Sequence, residues 1–202
     1  MLSELAELYR EIQACQKCIL GESRSHAVPG EGPDDAAIMF IGEAPGFHED
    51  RQGRPFVGAA GSYLNELLDR IGLKREEVYI TNVIKCRPPA NRDPLPVEIE
   101  TCQPYLDRQI ALIRPKLIVT LGRFSMQRYF PGASITRIHG QPKRVGNVIY
   151  YPIFHPAAAL HQPRWRETLE ADFQKIPELL AKLDEVEESE PEWPQAQQLS
   201  LF

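Results

Sequence analysis

No apolar run in this 202-residue chain is long enough to span a bilayer, and the N-terminus has no apolar stretch of the kind that directs secretion. A membrane protein is excluded on that reading, and a cytoplasmic one is expected. Cysteine is scarce, with four in all. In the cytoplasm such thiols are more often metal ligands or catalytic groups than disulfides. No internal repeat is visible, so a repeat architecture is not expected. Positive charge is not in excess either: the formal net charge is −5, which at first sight argues against a nucleic-acid partner. That charge is unevenly spread, however. Asp184, Glu185, Glu187, Glu188, Glu190 and Glu192 lie in the last twenty residues, which contain no Lys or Arg. Without these six, 22 acids face 23 bases, so the body of the chain is about neutral. Basic residues recur there in loops, among them Lys85, Arg87, Arg92 and Arg164. They permit a phosphate-contacting face.

The length suits one well-buried domain, placed at residues 1–183, followed by an acidic tail over 184–202 with the composition of a disordered segment. Apolar spacing predicts a first helix over Leu2–Cys15 with Ser3 as its N-cap. Strands are predicted at Ala36–Ile41, Val78–Val83, Leu117–Leu121 and Val148–Phe154. Helices are predicted at Ala59–Ile71, Val97–Ile113, Arg123–Phe130 and Arg164–Leu183. Such alternation indicates βαβ units, hence a mostly parallel sheet with helices on both faces.

Two of these strands end in turns that carry chemistry. Ile38-Met39-Phe40-Ile41 runs into Gly42-Glu43-Ala44-Pro45-Gly46, and Ile149-Tyr150-Tyr151-Pro152-Ile153-Phe154 runs into His155-Pro156. In open α/β sheets ligands bind at such carboxyl ends, so the two turns read as halves of one pocket. Cys15 and Cys18 form a C-x2-C pair, while Cys86 and Cys102 bracket a proline-rich loop. Four thiolates suit one tetrahedral zinc ion or one [4Fe–4S] cluster, and the spacing alone leaves both open.

Taken together and in order, these pieces resemble the family 4 uracil-DNA glycosylases, the iron–sulfur branch of their superfamily. The pieces are Cys15-x2-Cys18, Gly42-Glu43-Ala44-Pro45-Gly46, Gly53-Arg54-Pro55-Phe56-Val57-Gly58, the run Thr81-Asn82-Val83-Ile84-Lys85-Cys86-Arg87-Pro88-Pro89, Cys102, and Phe154-His155-Pro156-Ala157. The resemblance covers about residues 15–180. It implies a three-layer α/β/α sandwich around a four-stranded, mostly parallel sheet, a [4Fe–4S] cluster on all four cysteines, and a monomer that removes uracil from DNA.

The resemblance also assigns roles. Asn82 reads uracil, because its amide can donate to O4 and accept from N3–H, whereas cytosine presents the opposite pattern. Phe56, set among glycines where a large ring is not expected to fill a core, stacks on the flipped base. Glu49 lies against C5 and crowds out the thymine methyl. His155 donates to O2 of the departing uracil anion, and Gly42 and Glu43 lie where backbone N–H groups add further donors. Other superfamily members carry an Asp where this chain has Ala44. Glu43, the nearest carboxylate, is then the candidate for orienting water or stabilising the sugar cation. Leu160 is expected to fill the minor groove, and Lys85, Arg87, Arg92 and Arg164 to contact DNA. Finally, Gln198-Leu199-Ser200-Leu201-Phe202 resembles the short peptide by which bacterial repair proteins bind the β sliding clamp. Two other readings compete: a non-catalytic iron–sulfur or zinc module that only holds nucleic acid, and a zinc-bound hydrolase. The second is disfavoured because four cysteines use every position of a tetrahedral metal.

Overall fold

The computed structural model describes residues 3–185. The acidic segment 186–202 lies outside the described residues, and with it the clamp-like peptide Gln198–Phe202. Helix α1 (Glu4–Ala14) starts where expected: Ser3 Oγ accepts from Ala6 N at 3.2 Å, and Leu5, Leu8 and Ile12 form the buried stripe. Short α2 (Leu20–Ser23) follows, and then the sheet begins.

Strands β1 (Ile38–Gly42), β2 (Tyr79–Asn82) and β3 (Leu117–Leu121) are buried at every position, which is why they are mostly apolar, with Thr81, Asn82 and Thr120 as the buried polar positions. With β4 (Lys143–Val145) and β5 (Val148–Ile153) they form one sheet in the order β2-β1-β3-β5-β4. All pairs are parallel except β4 with β5. Alternation then sorts the side chains. Ile38 and Phe40 join Leu64, Leu67, Val119, Tyr151 and Phe173 in one cluster, whereas Met39 and Ile41 join Leu8, Ile12, Leu106 and Ile118 in the other. Helices therefore cover both faces: α4 (Ala59–Arg70) and α9 (Arg164–Phe173) on the first, α1 and α5 (Pro96–Ile113) on the second.

The sheet thus has five strands rather than the expected four. The extra strand, β4, is three residues long, with Arg144 and Val145 exposed, so no apolar run announces it. What marks it is the two-residue link Gly146-Asn147, with Gly146 at φ 57, the chemistry of a tight hairpin. The expected final helix is also two pieces, α9 and α10 (Ile176–Glu185). Pro177 explains the break, since it lacks an N–H and suits only a first helical turn. Four further short helices were not expected: α2, α3 (Phe47–Gln52), α7 (Ile135–Ile138) and α8 (Pro156–His161); between α5 and α7 lies α6 (Arg123–Gln127). Two of them, α3 and α8, start directly after the two strand-end turns. No described helix is long and apolar enough to cross a membrane.

Candidate active site

A parallel sheet brings all its carboxyl ends to one edge, and here that edge opens into a cavity of about 300 Å³. Its walls include Glu43, Gly46, Glu49, Phe56, Asn82 and His155, delivered by the ends of β1, β2 and β5, by α3 and by the segment after it. Gly42 and Asn82 are register partners. A Cβ at Gly42 would overlap Asn82 Oδ1 and the edge of the Phe56 ring, so only glycine lets these two side chains occupy their places.

Asn82 is buried, yet its Oδ1 has no hydrogen-bond partner. Leaving such an acceptor unmet costs about 1–3 kcal/mol, so it is a feature in need of a ligand. The main chain below it is firmly held: Lys85 Nζ donates to Asn82 O at 2.7 Å, to Thr81 Oγ1 at 2.6 Å and to Gln109 Oε1 at 2.7 Å.

Phe56 adopts φ 50, the left-handed region that a large side chain rarely enters. Three contacts fix it there. Arg75 Nη1 donates to Phe56 O at 3.1 Å, Glu49 Oε1 accepts from Val57 N and Gly58 N at 2.9 Å each, and Gly61 leaves room for the Phe56 carbonyl. The ring is buried in the main core cluster, contrary to the expectation of a ring outside the core. Only part of it borders the cavity, where its centroid lies 5.4 Å from that of His155 at 27°.

His155 caps α8. Its Nδ1 accepts from Ala157 N at 3.1 Å, which assigns the ring proton of the neutral form to Nε2. Burial pushes its pKa down to about 4 against the opposing pull of Glu49, so the ring is neutral at pH 7. Glu43 goes the other way: burial first and Asp93 second raise its pKa to about 7, with Arg123 opposing. A neutral donor, a bare amide oxygen and a carboxylate poised at neutral pH therefore face one cavity. Such pairs of groups with diverging pKa values are characteristic of acid–base sites.

A family model described as the uracil DNA glycosylase superfamily matches residues 29–181. The chain belongs to that superfamily. Three type-4 uracil-DNA glycosylases place it in the type-4 branch. Those of Sulfurisphaera tokodaii and Archaeoglobus fulgidus are each 50% identical, over 88% and 90% of this chain and 86% and 96% of their own. That of Thermotoga maritima is 45% identical over 78% of this chain and 84% of its own.

Within this type-4 chain the expected DNA-contacting residues divide. Lys85 is only 1% exposed and spends its ammonium on the three acceptors named above, so it cannot reach a phosphate; its position four residues after Thr81 folds it back under β2. Arg92 is also committed, with Nη1 and Nη2 donating to the two oxygens of buried Glu98 at 2.9 and 2.6 Å. Arg87 donates to Asn91 Oδ1 at 2.7 Å, and Arg164 to Gln162 Oε1, both on the surface. Leu160 is exposed on α8. Sequence reasoning missed Arg75 and Lys85 as the groups that hold Phe56 and Asn82. No signal in the sequence marks either, since the atoms by which they hold Phe56 and Asn82 are the main-chain oxygens of those residues.

Cys15, Cys18, Cys86 and Cys102 line one small cavity with Ile12, Arg24 and Tyr105. Two donors already serve the sulfurs: Arg24 Nη1 to Cys86 Sγ at 2.9 Å and Lys85 N to Cys102 Sγ at 3.3 Å. Among the described residues no three Cys, His, Asp or Glu converge on a position for a single metal ion.

Proposed function

We propose that the protein is a uracil-DNA glycosylase that takes uracil out of the stack and hydrolyses its N-glycosidic bond. Unpaired Asn82 Oδ1 at the cavity carries this reading, since it asks for an N–H donor where uracil offers N3–H. Flipping costs about a few kcal/mol, and the Asn82 amide and the Phe56 ring recover it. Glu49, held by two backbone N–H groups in the cavity wall, is the group set against C5. The C1′–N1 bond then breaks with its electron pair going to the base, and charge collects on O2. His155 Nε2–H donates to that oxygen, an aimed contact worth about 3–4 kcal/mol of barrier. Water adds to the sugar cation at C1′ and loses its proton to the Glu43 carboxylate. Exposed Leu160 fills the space the nucleotide leaves. A binder without chemistry would gain nothing from this diverging set of groups.

The Glu43 role has a sign that can be measured. Only the carboxylate can take the proton, and with a pKa near 7 it is present above pH 7 and lost below. Single-turnover excision should rise about tenfold per pH unit up to that point and level off above it. Glu43→Gln should give a slow, flat profile. A wild-type-like rise in that variant would remove Glu43 from the chemistry.

The four cysteines fit a [4Fe–4S] cluster. What supports this is that all four thiols, from segments far apart in the chain, border one cavity, and four Cys thiolates are the ligand set such a cluster takes. Cys15 and Cys18 at the end of α1, Cys86 in the loop after β2 and Cys102 in α5 would hold it, and the ligation would tie these three segments together. Protein purified without oxygen should be brown, and removing the iron should bleach it and lower its melting temperature steeply. Colourless, fully active protein holding only zinc would overturn this assignment.

A further inference from the structure

Beside the cavity the molecule exposes an aromatic ring that its core does not use. Phe47 opens α3 directly after Gly46, a cavity residue, and stands 49% exposed. Its surroundings are cationic rather than apolar. The Arg87 guanidinium carbon lies 5.1 Å from the ring centroid and that of Arg51 5.9 Å, while His48 meets the ring edge-on at 5.4 Å. Arg87 carries this row to the cavity, because its Nε donates to Asn91 Oδ1 and both Asn91 and the adjacent Pro88 belong to the cavity wall. Among the described residues neither Arg51 nor Arg87 is ion-paired.

We propose that Phe47, Arg51 and Arg87 form a subsite for the DNA strand next to the extruded nucleotide, with Phe47 stacking on the neighbouring base and the two arginines facing the flanking phosphates. This rests on the cavity being where the uracil enters. Taking a nucleotide out of a stack uncovers one face of the base beside it. An exposed ring can cover that face whatever the base, since every base has a π-face. The arginines supply the complementary charge and hold the ring in place through cation–π contact. The subsite favours single-stranded or locally unpaired DNA, where the neighbouring base is free to lean onto the ring.

The test uses the full protein and a uracil-bearing oligonucleotide with 2-aminopurine beside the uracil, single-stranded and in duplex. Phe47→Ala should raise KM on the single strand about tenfold, with a smaller change on duplex and in kcat. It should also lose the fluorescence quenching that stacking on 2-aminopurine produces. Phe47→Trp should restore both and Phe47→Leu neither, while the Arg51→Gln, Arg87→Gln double variant should flatten the salt dependence of binding. Equal KM and quenching in wild type and Phe47→Ala would overturn the subsite. So would full rescue by Leu, which would point to an apolar contact such as a protein partner. Asn82→Ala run alongside separates the two readings, because retained excision there would displace the cavity itself.

Discussion

His155→Ala is expected to slow single-turnover excision of uracil by about 10²–10³-fold, the usual loss when one aimed oxyanion donor is removed. The structure gives His155 a second task that the variant also removes. Its Nδ1 caps α8 through Ala157 N, and loss of a cap costs about 1 kcal/mol. His155→Asn separates the two, because an Asn side-chain oxygen can accept the capping bond while the Nε2 donor is lost. Excision should fall as far in Asn as in Ala, with the melting temperature closer to wild type in Asn. If Asn restores most of the rate, the residue serves the helix and not the oxyanion. Acid stability provides a further check. The folded-state pKa near 4 lies below the ordinary value of 6.5, so between these the unfolded chain binds more protons. This contribution to stability is complete above pH 6.5 and is lost as pH falls towards 4, and neither variant should show it.

Asn82→Ala should reduce excision by at least about 10³-fold, because a site that pairs a buried polar group with the substrate's donor loses far more than one methylene's worth of recognition. Its effect on stability should have the opposite sign. Oδ1 is buried without a partner, so removing it relieves an unmet acceptor instead of breaking a bond. Lys85 holds the backbone carbonyl of residue 82, and that contact survives the change. A melting temperature equal to wild type or higher, together with near-complete loss of activity, is the expected pair. A drop of several degrees would show that the amide serves the fold, and retained excision would place uracil elsewhere.

The central strands and the main helices were legible because burial on both sides imposes long apolar runs and a helical stripe imposes its own spacing. The β4 edge strand was not, since two basic residues and an exposed Val145 leave no pattern except the Gly-Asn link that follows. The cavity residues could be found because strand ends in a parallel sheet must share an edge, so Gly42, Asn82 and His155 had to meet. Lys85 misled for a physical reason. A lysine next to a cysteine in a Pro-rich segment looks solvated, and only the return of the chain past Gln109 and Pro29 shows that its ammonium is enclosed. The Phe56 ring misled in the opposite direction, because glycine neighbours suggested exposure when they instead make room for a tight, buried turn.

The enclosure of Lys85 makes the molecule its own gauge of local opening. An amine shut behind Thr81, Asn82 and Gln109 is out of reach of acylating reagents while the end of β2 stays intact. Each brief opening of that segment would expose it, so the rate at which mass spectrometry finds Lys85 labelled measures how often the uracil-reading edge comes apart. Uracil bound in the cavity should slow that labelling in proportion to its occupancy, and exposed lysines elsewhere in the chain would serve as the internal clock.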